Sequence, residues 1–298
     1  MRRKFGDRRD GRRLKKIHSM HYVMPIMYPN RCDNEAFITE RIDLTNLNRY
    51  LENKNSTDTQ QSCNLFHAVV TAVLKTITLR PKMNRFIANQ TMYQRNEVSA
   101  AFTVKKDFSD NGGEALSFIH SKGTDNINSV CEEIRHQISF CRSDKKDSAT
   151  ASMDVVQKIP RILIKAVGIC ARFLDRHGLM PASIADSDPF YASAVIANLG
   201  SIDLHAVYHH LTNWGTCSVF CVIGKQKKRP FFSEDGSIEM RDSVDLGLPI
   251  DERIADGYYY SRSIKLLRHL LENPELLELP LEETSGIDLS EGGKIQPL

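Results

Sequence analysis

The segment Asp251–Gly257, DERIADG, constrains the fold of this 298-residue chain more than any other stretch. A strand-like segment over residues 238–248 precedes it. After it, residues 258–271 carry apolar side chains at helical spacing, and Pro274 sets the limit of that helix. The chain must therefore pass from a strand through a short turn into its last helix.

The rest of the chain alternates helical and strand-like patterns without an internal repeat. Apolar residues at helical spacing predict a helix that Ser62 caps and Pro81 ends. Further helices are predicted over 126–140, 153–176 and 258–271, and strands over 36–44, 191–199, 216–223 and 238–248. The last two strands are predicted to form a hairpin whose loop holds the basic cluster Lys225–Arg229. This alternation favours an α/β fold.

Charge is distributed unevenly along the chain. The formal net charge is +3, yet residues 1–16 alone carry nine Lys or Arg against two Asp, and the remainder is mildly acidic. A charged run without apolar residues cannot pack, so we expect 1–16 to be a basic disordered arm. We expect a core domain over 17–280 and a flexible tail over 281–298. The arm could attract nucleic acid or anionic lipid, but the acidic body makes this the weakest functional interpretation.

Neither a membrane span nor a secretory signal is expected. The most apolar helical stretch, residues 161–174, is interrupted by Lys165 and Arg172 and is shorter than the roughly 20 residues that a span requires. The basic start is not followed by an apolar run. The seven cysteines include no Cys-x-x-Cys pair, and Cys170, Cys217 and Cys221 lie in apolar patterns. We therefore expect reduced core thiols and a cytoplasmic protein.

Asp251–Gly257 resembles the His-x-x-x-Asp-Gly signature of the chloramphenicol acetyltransferase-like superfamily, which includes the catalytic cores of dihydrolipoyl acyltransferases, with Glu252 in place of the histidine. Other segments resemble that family in the same order: 42–47, 80–84, 197–200 and 272–277. The resemblance implies a mixed β-sheet flanked by helices. It also implies a homotrimer, because the family builds its active sites between subunits.

The resemblance further implies a reaction and the residues that carry it. In the family an acyl group passes between coenzyme A and a thiol or hydroxyl, and the signature histidine removes the proton of the acceptor. Glu252 occupies that position, and a carboxylate works as a base near neutral pH only where burial raises its pKa. The family serine that stabilises the oxyanion is replaced by Ala197, which precedes Asn198. Ser193 lies on the same strand face, but roughly 13 Å away at 3.3 Å per residue, and cannot substitute.

Four more site positions follow from the resemblance. Asp256 matches the family's structural aspartate, and Arg31 is expected to hold it. Gly257 completes the signature. Tyr258 begins a Tyr-Tyr-Tyr run where the family has small residues, so a narrowed substrate channel or ordinary core packing is expected there.

A histidine elsewhere could replace the missing base. His205, His209 and His210 follow the Ala197 strand, and His205 and His209 have the spacing of two ligands on one helix face. No third ligand stands at a motif spacing, so a metal is not expected. His209 and His210 remain candidate catalytic residues, with packing or surface roles as the alternative.

Besides binding of nucleic acid or anionic lipid through residues 1–16, two functions remain open from the sequence. One is an atypical acyltransferase that moves an acyl group from a coenzyme A thioester to an unknown acceptor. The other is a catalytically silent trimer that serves as a scaffold or ligand-binding module. We expect no lipoyl domain and no tightly bound cofactor, so the acyl donor would be separate, either an acyl-CoA or an acyl carrier.

Overall fold

The computed structural model describes residues 4–57, 62–105, 113–142, 159–185, 188–233 and 235–287. The helices are α1 (Ser19–Met27), α2 (Thr45–Thr57), α3 (Leu65–Leu79), α4 (Ile127–Arg142), α5 (Arg161–Arg176), α6 (Ala182–Ala185) and α7 (Gly257–Glu272). The strands are β1 (Gly11–Arg13), β2 (Glu35–Asp43), β3 (Arg85–Ala88), β4 (Thr91–Arg95), β5 (Val98–Lys105), β6 (Glu114–Ser121), β7 (Ala194–Asn198), β8 (Phe220–Ile223), β9 (Lys227–Phe232) and β10 (Ile238–Asp251). The predicted strand, turn and last helix are confirmed as β10, residues 252–256 and α7.

A mixed sheet forms the centre of the fold. Its strand order is β2-β10-β8-β7-β5-β6, and β9 also pairs with β10. The β7–β8 and β5–β7 pairs are parallel, whereas β2, β8 and β9 each run antiparallel to β10. A smaller sheet has the order β1-β4-β3. The predicted α/β class, with a mixed sheet flanked by helices, is confirmed.

Helix α3 is the central helix of the core. Most of its residues are buried, and it packs against α4, α7 and β5. Its N-cap is Asn64 rather than the predicted Ser62, because the Asn64 side chain and His67 form a reciprocal capping box. The helix ends before Pro81, as predicted.

The basic arm is folded over the part that the structure describes, which differs from the sequence expectation. Arg8 is buried and forms ion pairs with Asp10 at 2.9 Å and Asp175 at 3.0 Å. Residues 11–13 form β1, which pairs with β4. The arm packs because a partner distant in sequence neutralises its buried charge. At the other end, Leu281 is fully buried and its N–H donates to the carbonyl of Asp125 at 2.7 Å, so the start of the expected tail is packed as well.

Several other expectations need correction. Cys63 and Cys131 form a disulfide rather than two reduced thiols. Cys170 is exposed, whereas Cys217 and Cys221 are buried as expected. The basic cluster begins strand β9 instead of forming a hairpin loop. The predicted helix over 153–176 is present from Arg161, and residues 153–158 lie outside the described residues. Among the described residues, no helix is long and apolar enough to cross a membrane.

Candidate active site

A buried ion pair fixes the turn between β10 and α7. Asp251 is fully buried and Arg253 is 1% exposed. Their side chains meet in a fork, with Nε to Oδ1 at 2.8 Å and Nη2 to Oδ2 at 2.7 Å. Nη1 of Arg253 also donates to the carbonyls of Tyr28 and Pro29, at 2.9 and 3.1 Å. This network ties the turn to the segment that follows α1.

Arg31 joins this network and does not hold Asp256, so that part of the prediction is wrong. Its Nε lies 3.6 Å from Oδ2 of Asp251. Its terminal nitrogens donate to carbonyl oxygens of Thr212 at 2.5 Å, Gly215 at 3.0 Å and Ile87 at 3.3 Å. Burial lowers the pKa of Arg31, and the Asp251 carboxylate opposes that effect. The arginine therefore connects the turn to the 212–215 loop and β3.

Asp256 caps α7 and does not form an ion pair with Arg31. Its side chain accepts from the Tyr259 N–H at 2.9 Å, and this bond is the main cause that holds the Asp256 pKa below its usual range. The charge of Lys82 lowers it further. Negative charge at a helix N-terminus is stabilising, so Asp256 has a structural role.

The residues next to Asp256 differ in burial. Gly257 opens α7, and a Cβ there would touch only the Tyr260 ring, at 3.7 Å or more. Tyr258 is exposed, whereas Tyr259 lies beneath the Arg80 guanidinium, 3.9 Å from the ring centroid. Within the tyrosine run, Tyr259 therefore packs against the fold and Tyr258 lies at the surface.

A hydrogen bond fixes the backbone of Glu252, and its side chain is exposed. Its N–H donates to the carbonyl of Asn34 at 2.9 Å. Asn34 is itself buried and donates to the carbonyls of Tyr28 and Asn30. The Glu252 carboxylate thus projects from a fixed turn to the surface.

His21 lies beside this turn, although the sequence did not single it out. It is half-buried on α1, and its Nδ1 is 3.1 Å from the carbonyl oxygen of Arg253, the residue after Glu252. A ring Nδ1–H that donates to a carbonyl leaves Nε2 as the acceptor. In this tautomer Nε2 can accept a proton, as a general base must. No local spacing could have revealed this contact, which joins residues far apart in the chain.

Ala197 does not lie near Glu252 within one copy of the chain. Ala197 on β7 stands opposite Val222 on β8, and Val222 stands opposite Gly247 on β10. Glu252 follows Gly247 by five residues. At about 3.3 Å per residue, the two positions are separated by roughly 17 Å along the strands. One copy of the chain therefore does not bring the two positions together.

The neighbours of Ala197 have structural roles. The Asn198 side chain accepts from the Ser201 N–H at 3.3 Å and caps the turn after β7. Ser193 is buried, and its hydroxyl accepts from the Ser99 N–H at 3.1 Å.

The three predicted histidines lie in an irregular loop, so the helical spacing of His205 and His209 has no structural meaning. The His209 ring stacks on Phe220 at 4.4 Å and on His210 at 4.9 Å. The loop crosses the sheet closely, since a Cβ on Gly247 would lie 2.5 Å from the carbonyl oxygen of Val207. Within the described ranges, no group of three metal-ligating side chains is assembled.

The cavity lined by Arg31 and Arg253 is small. Its volume is about 90 Å³. Sites for small molecules and cofactors typically enclose roughly 300–1,000 Å³. This cavity in one copy of the chain is therefore too small for a coenzyme A thioester.

Comparison with known proteins agrees with this architecture. Residues 183–279, which include both Ala197 and Glu252, match the family of 2-oxoacid dehydrogenases acyltransferase (catalytic domain). A probable dihydrolipoamide acetyltransferase from Listeria monocytogenes superposes with a TM-score of 0.59 at 16% identity, over 88% of this chain and 95% of that one. The chain has the chloramphenicol acetyltransferase-like fold.

Two further structures support this assignment. The dihydrolipoamide acetyltransferase of Azotobacter vinelandii, studied for the roles of a serine, a histidine and an asparagine in its catalytic mechanism, gives a TM-score of 0.60 at 16% identity over 89% of this chain and 94% of that one. A chloramphenicol acetyltransferase gives 0.51 at 13% identity over 85% and 92%. No curated protein matches the chain in sequence. The resemblance read from the sequence is confirmed at the level of fold and of the 183–279 match.

Proposed function

We propose that the chain is an atypical acyltransferase that moves an acyl group from a coenzyme A thioester to a thiol or hydroxyl acceptor at the Glu252 turn. The observation that carries this proposal is the arrangement of the turn. A buried Arg253–Asp251–Arg31 network holds it, Glu252 projects from it, and an oriented imidazole lies next to it. The match of residues 183–279 to an acyltransferase catalytic domain supports the reaction class.

The proposed base is His21. Its Nε2 removes the acceptor proton, the acceptor oxygen or sulfur attacks the thioester carbonyl, and the tetrahedral intermediate then expels the coenzyme A thiolate, which takes up the proton. Glu252 would orient the acceptor or the imidazolium through its negative charge. The side chain of Ala197 cannot donate to the oxyanion, so one contribution of about 10²–10³ to the rate is absent at that position.

We further propose that the protein is a homotrimer with its sites between copies. The roughly 17 Å between the Ala197 and Glu252 positions is the reason, since two such positions can act on one acyl group only when different copies supply them. Light scattering at micromolar concentration should therefore give the mass of three chains. A monomer at that concentration would exclude a shared site.

The donor is proposed to be an acyl-CoA or a separate acyl carrier. Nucleic-acid binding through residues 1–16 is not proposed, because Arg8 and β1 are folded into the body. The cytoplasmic location expected from the sequence stays a prediction, and the Cys63–Cys131 disulfide is an observation against it.

A silent trimeric scaffold is the second candidate, and Ala197 favours it because that position lacks the oxyanion donor. The two proposals are separated by offering the protein a panel of acyl-CoAs with simple thiols. An acyltransferase should turn over, and Glu252→Gln should lower the rate while leaving the mass and stability unchanged. If the protein turns over none of the acyl-CoAs, and Glu252→Gln changes no measured property, the scaffold is established instead.

Restoring the family residues provides an independent measurement. The combined variant Glu252→His with Ala197→Ser should raise acetyl-CoA-dependent transfer by about tenfold or more, because it supplies both a base and an oxyanion donor. Each single change should do less, since the two groups act on one transition state. No gain in the double variant, in a protein that also lacks native turnover, would mean that no substrate channel reaches this turn.

A further inference from the structure

Helix α5 carries a broad apolar surface that the fold leaves exposed. Ile162, Val167 and Ile169 are 77%, 64% and 69% exposed, and Leu163 and Phe173 are also exposed. Asp175 is the only buried residue of this helix. By contrast α4, also 16 residues long, buries Ile127, Val130 and Ile134. A helix of the same length therefore buries an apolar face in this fold, whereas α5 leaves its apolar side chains exposed.

The basic residues of α5 lie together along one edge of the apolar surface. At 100° per residue, its four basic residues fall within a sector of about 60°, and the exposed apolar residues occupy the adjoining sector. These basic residues are Arg161, Lys165, Arg172 and Arg176. The single acidic residue, Asp175, is turned inward and paired with Arg8 at 3.0 Å. The outer surface of α5 is thus apolar on one side, cationic on the other and free of negative charge.

We propose that α5 binds the surface of an anionic membrane. A helix with a basic polar face and a separate apolar face lies in the plane of the interface, with its apolar side chains about 5–10 Å deep and its cations at the headgroups. A second copy of the chain is a poorer partner, because the cores of protein interfaces are depleted of charged residues and the copy would have to neutralise four adjacent charges. The helix is too short and too charged to span a bilayer. This proposal is independent of the proposed acyl transfer.

The test is flotation of the whole chain with vesicles. The protein should bind vesicles of phosphatidylcholine mixed with phosphatidylglycerol, bind phosphatidylcholine alone far more weakly, and release as salt is added. Ile162→Glu with Ile169→Glu should weaken binding by about a hundredfold or more, because two apolar side chains no longer enter the interface. Lys165→Gln with Arg172→Gln should weaken it by about thirtyfold.

Matched changes elsewhere serve as controls. Phe232→Glu with Ile238→Glu adds the same charges at exposed apolar positions of the β9–β10 hairpin, and Lys228→Gln with Lys265→Gln removes two exposed cations. Both should bind vesicles like the unaltered protein, and circular dichroism should show every variant folded. Absence of vesicle binding, or equal loss in the controls, would overturn the proposal. A changed mass in light scattering for Ile162→Glu with Ile169→Glu, with vesicle binding intact, would assign the surface to a contact between copies and also overturn it.

Discussion

Replacing His21 by glutamine should lower the rate of acyl transfer by about 10²–10⁴-fold, the contribution of a general base. Glutamine keeps a polar group near the Arg253 carbonyl but cannot accept a proton at neutral pH. Most of the loss should fall on kcat rather than on KM, because the base acts in the transition state. Steady-state kinetics of the folded variant, with the same acyl-CoA and thiol, measures kcat and KM separately.

His209→Gln is the matched control for this experiment. His209 was a candidate from the sequence, but its ring stacks on Phe220 and so has a packing role. The control variant should keep nearly full activity, with at most a small loss of stability. Full activity in His21→Gln together with a large loss in His209→Gln would reverse the assignment and move the base to the 205–210 loop.

The sequence predicts those parts of the fold that depend on local periodicity and on ordered motifs. Apolar spacing and a Gly or Pro boundary predict three elements: the helix before Pro81, strand β10 and helix α7. The segment 251–257 also predicts how these elements pack together, because it resembles the signature of a family whose fold is known. The helical spacing of His205 and His209 did not predict the structure of residues 205–210. The loop there is shaped by its close contact with Gly247 and not by the pattern of its own side chains.

The contacts that define the candidate site are long-range, and this is why the sequence could not supply them. His21 meets Arg253, Arg31 meets Asp251, and Arg8 meets Asp175, each across more than a hundred residues. The charge pattern alone predicts that Arg8 belongs to a solvated arm. A buried guanidinium is stable only with its partner present, and the partner lies on another element. The resemblance correctly placed an arginine near the turn but assigned it to the wrong aspartate.

Replacing Arg253 by glutamine should destabilise the protein by about 3–5 kcal/mol, because the change leaves the fully buried Asp251 carboxylate without its fork partner. Chemical denaturation should show this as a lower midpoint with an unchanged slope. Arg241→Gln provides the control, since Arg241 forms partly exposed pairs with Asp43 and Glu239, and its loss should move the denaturation midpoint far less.

A paired substitution separates the charge from the packing. Asp251→Leu combined with Arg253→Met removes both buried charges at similar volume, so it should recover a large part of the stability that Arg253→Gln loses. Arg31 would then retain its three carbonyl acceptors but lose the Asp251 carboxylate, which limits the recovery. If the double variant is as unstable as Arg253→Gln, the bonds from Arg253 to the Tyr28 and Pro29 carbonyls hold the turn rather than the ion pair. In that case acyl transfer should fall in both variants alike, because Glu252 and His21 depend on the same turn for their positions.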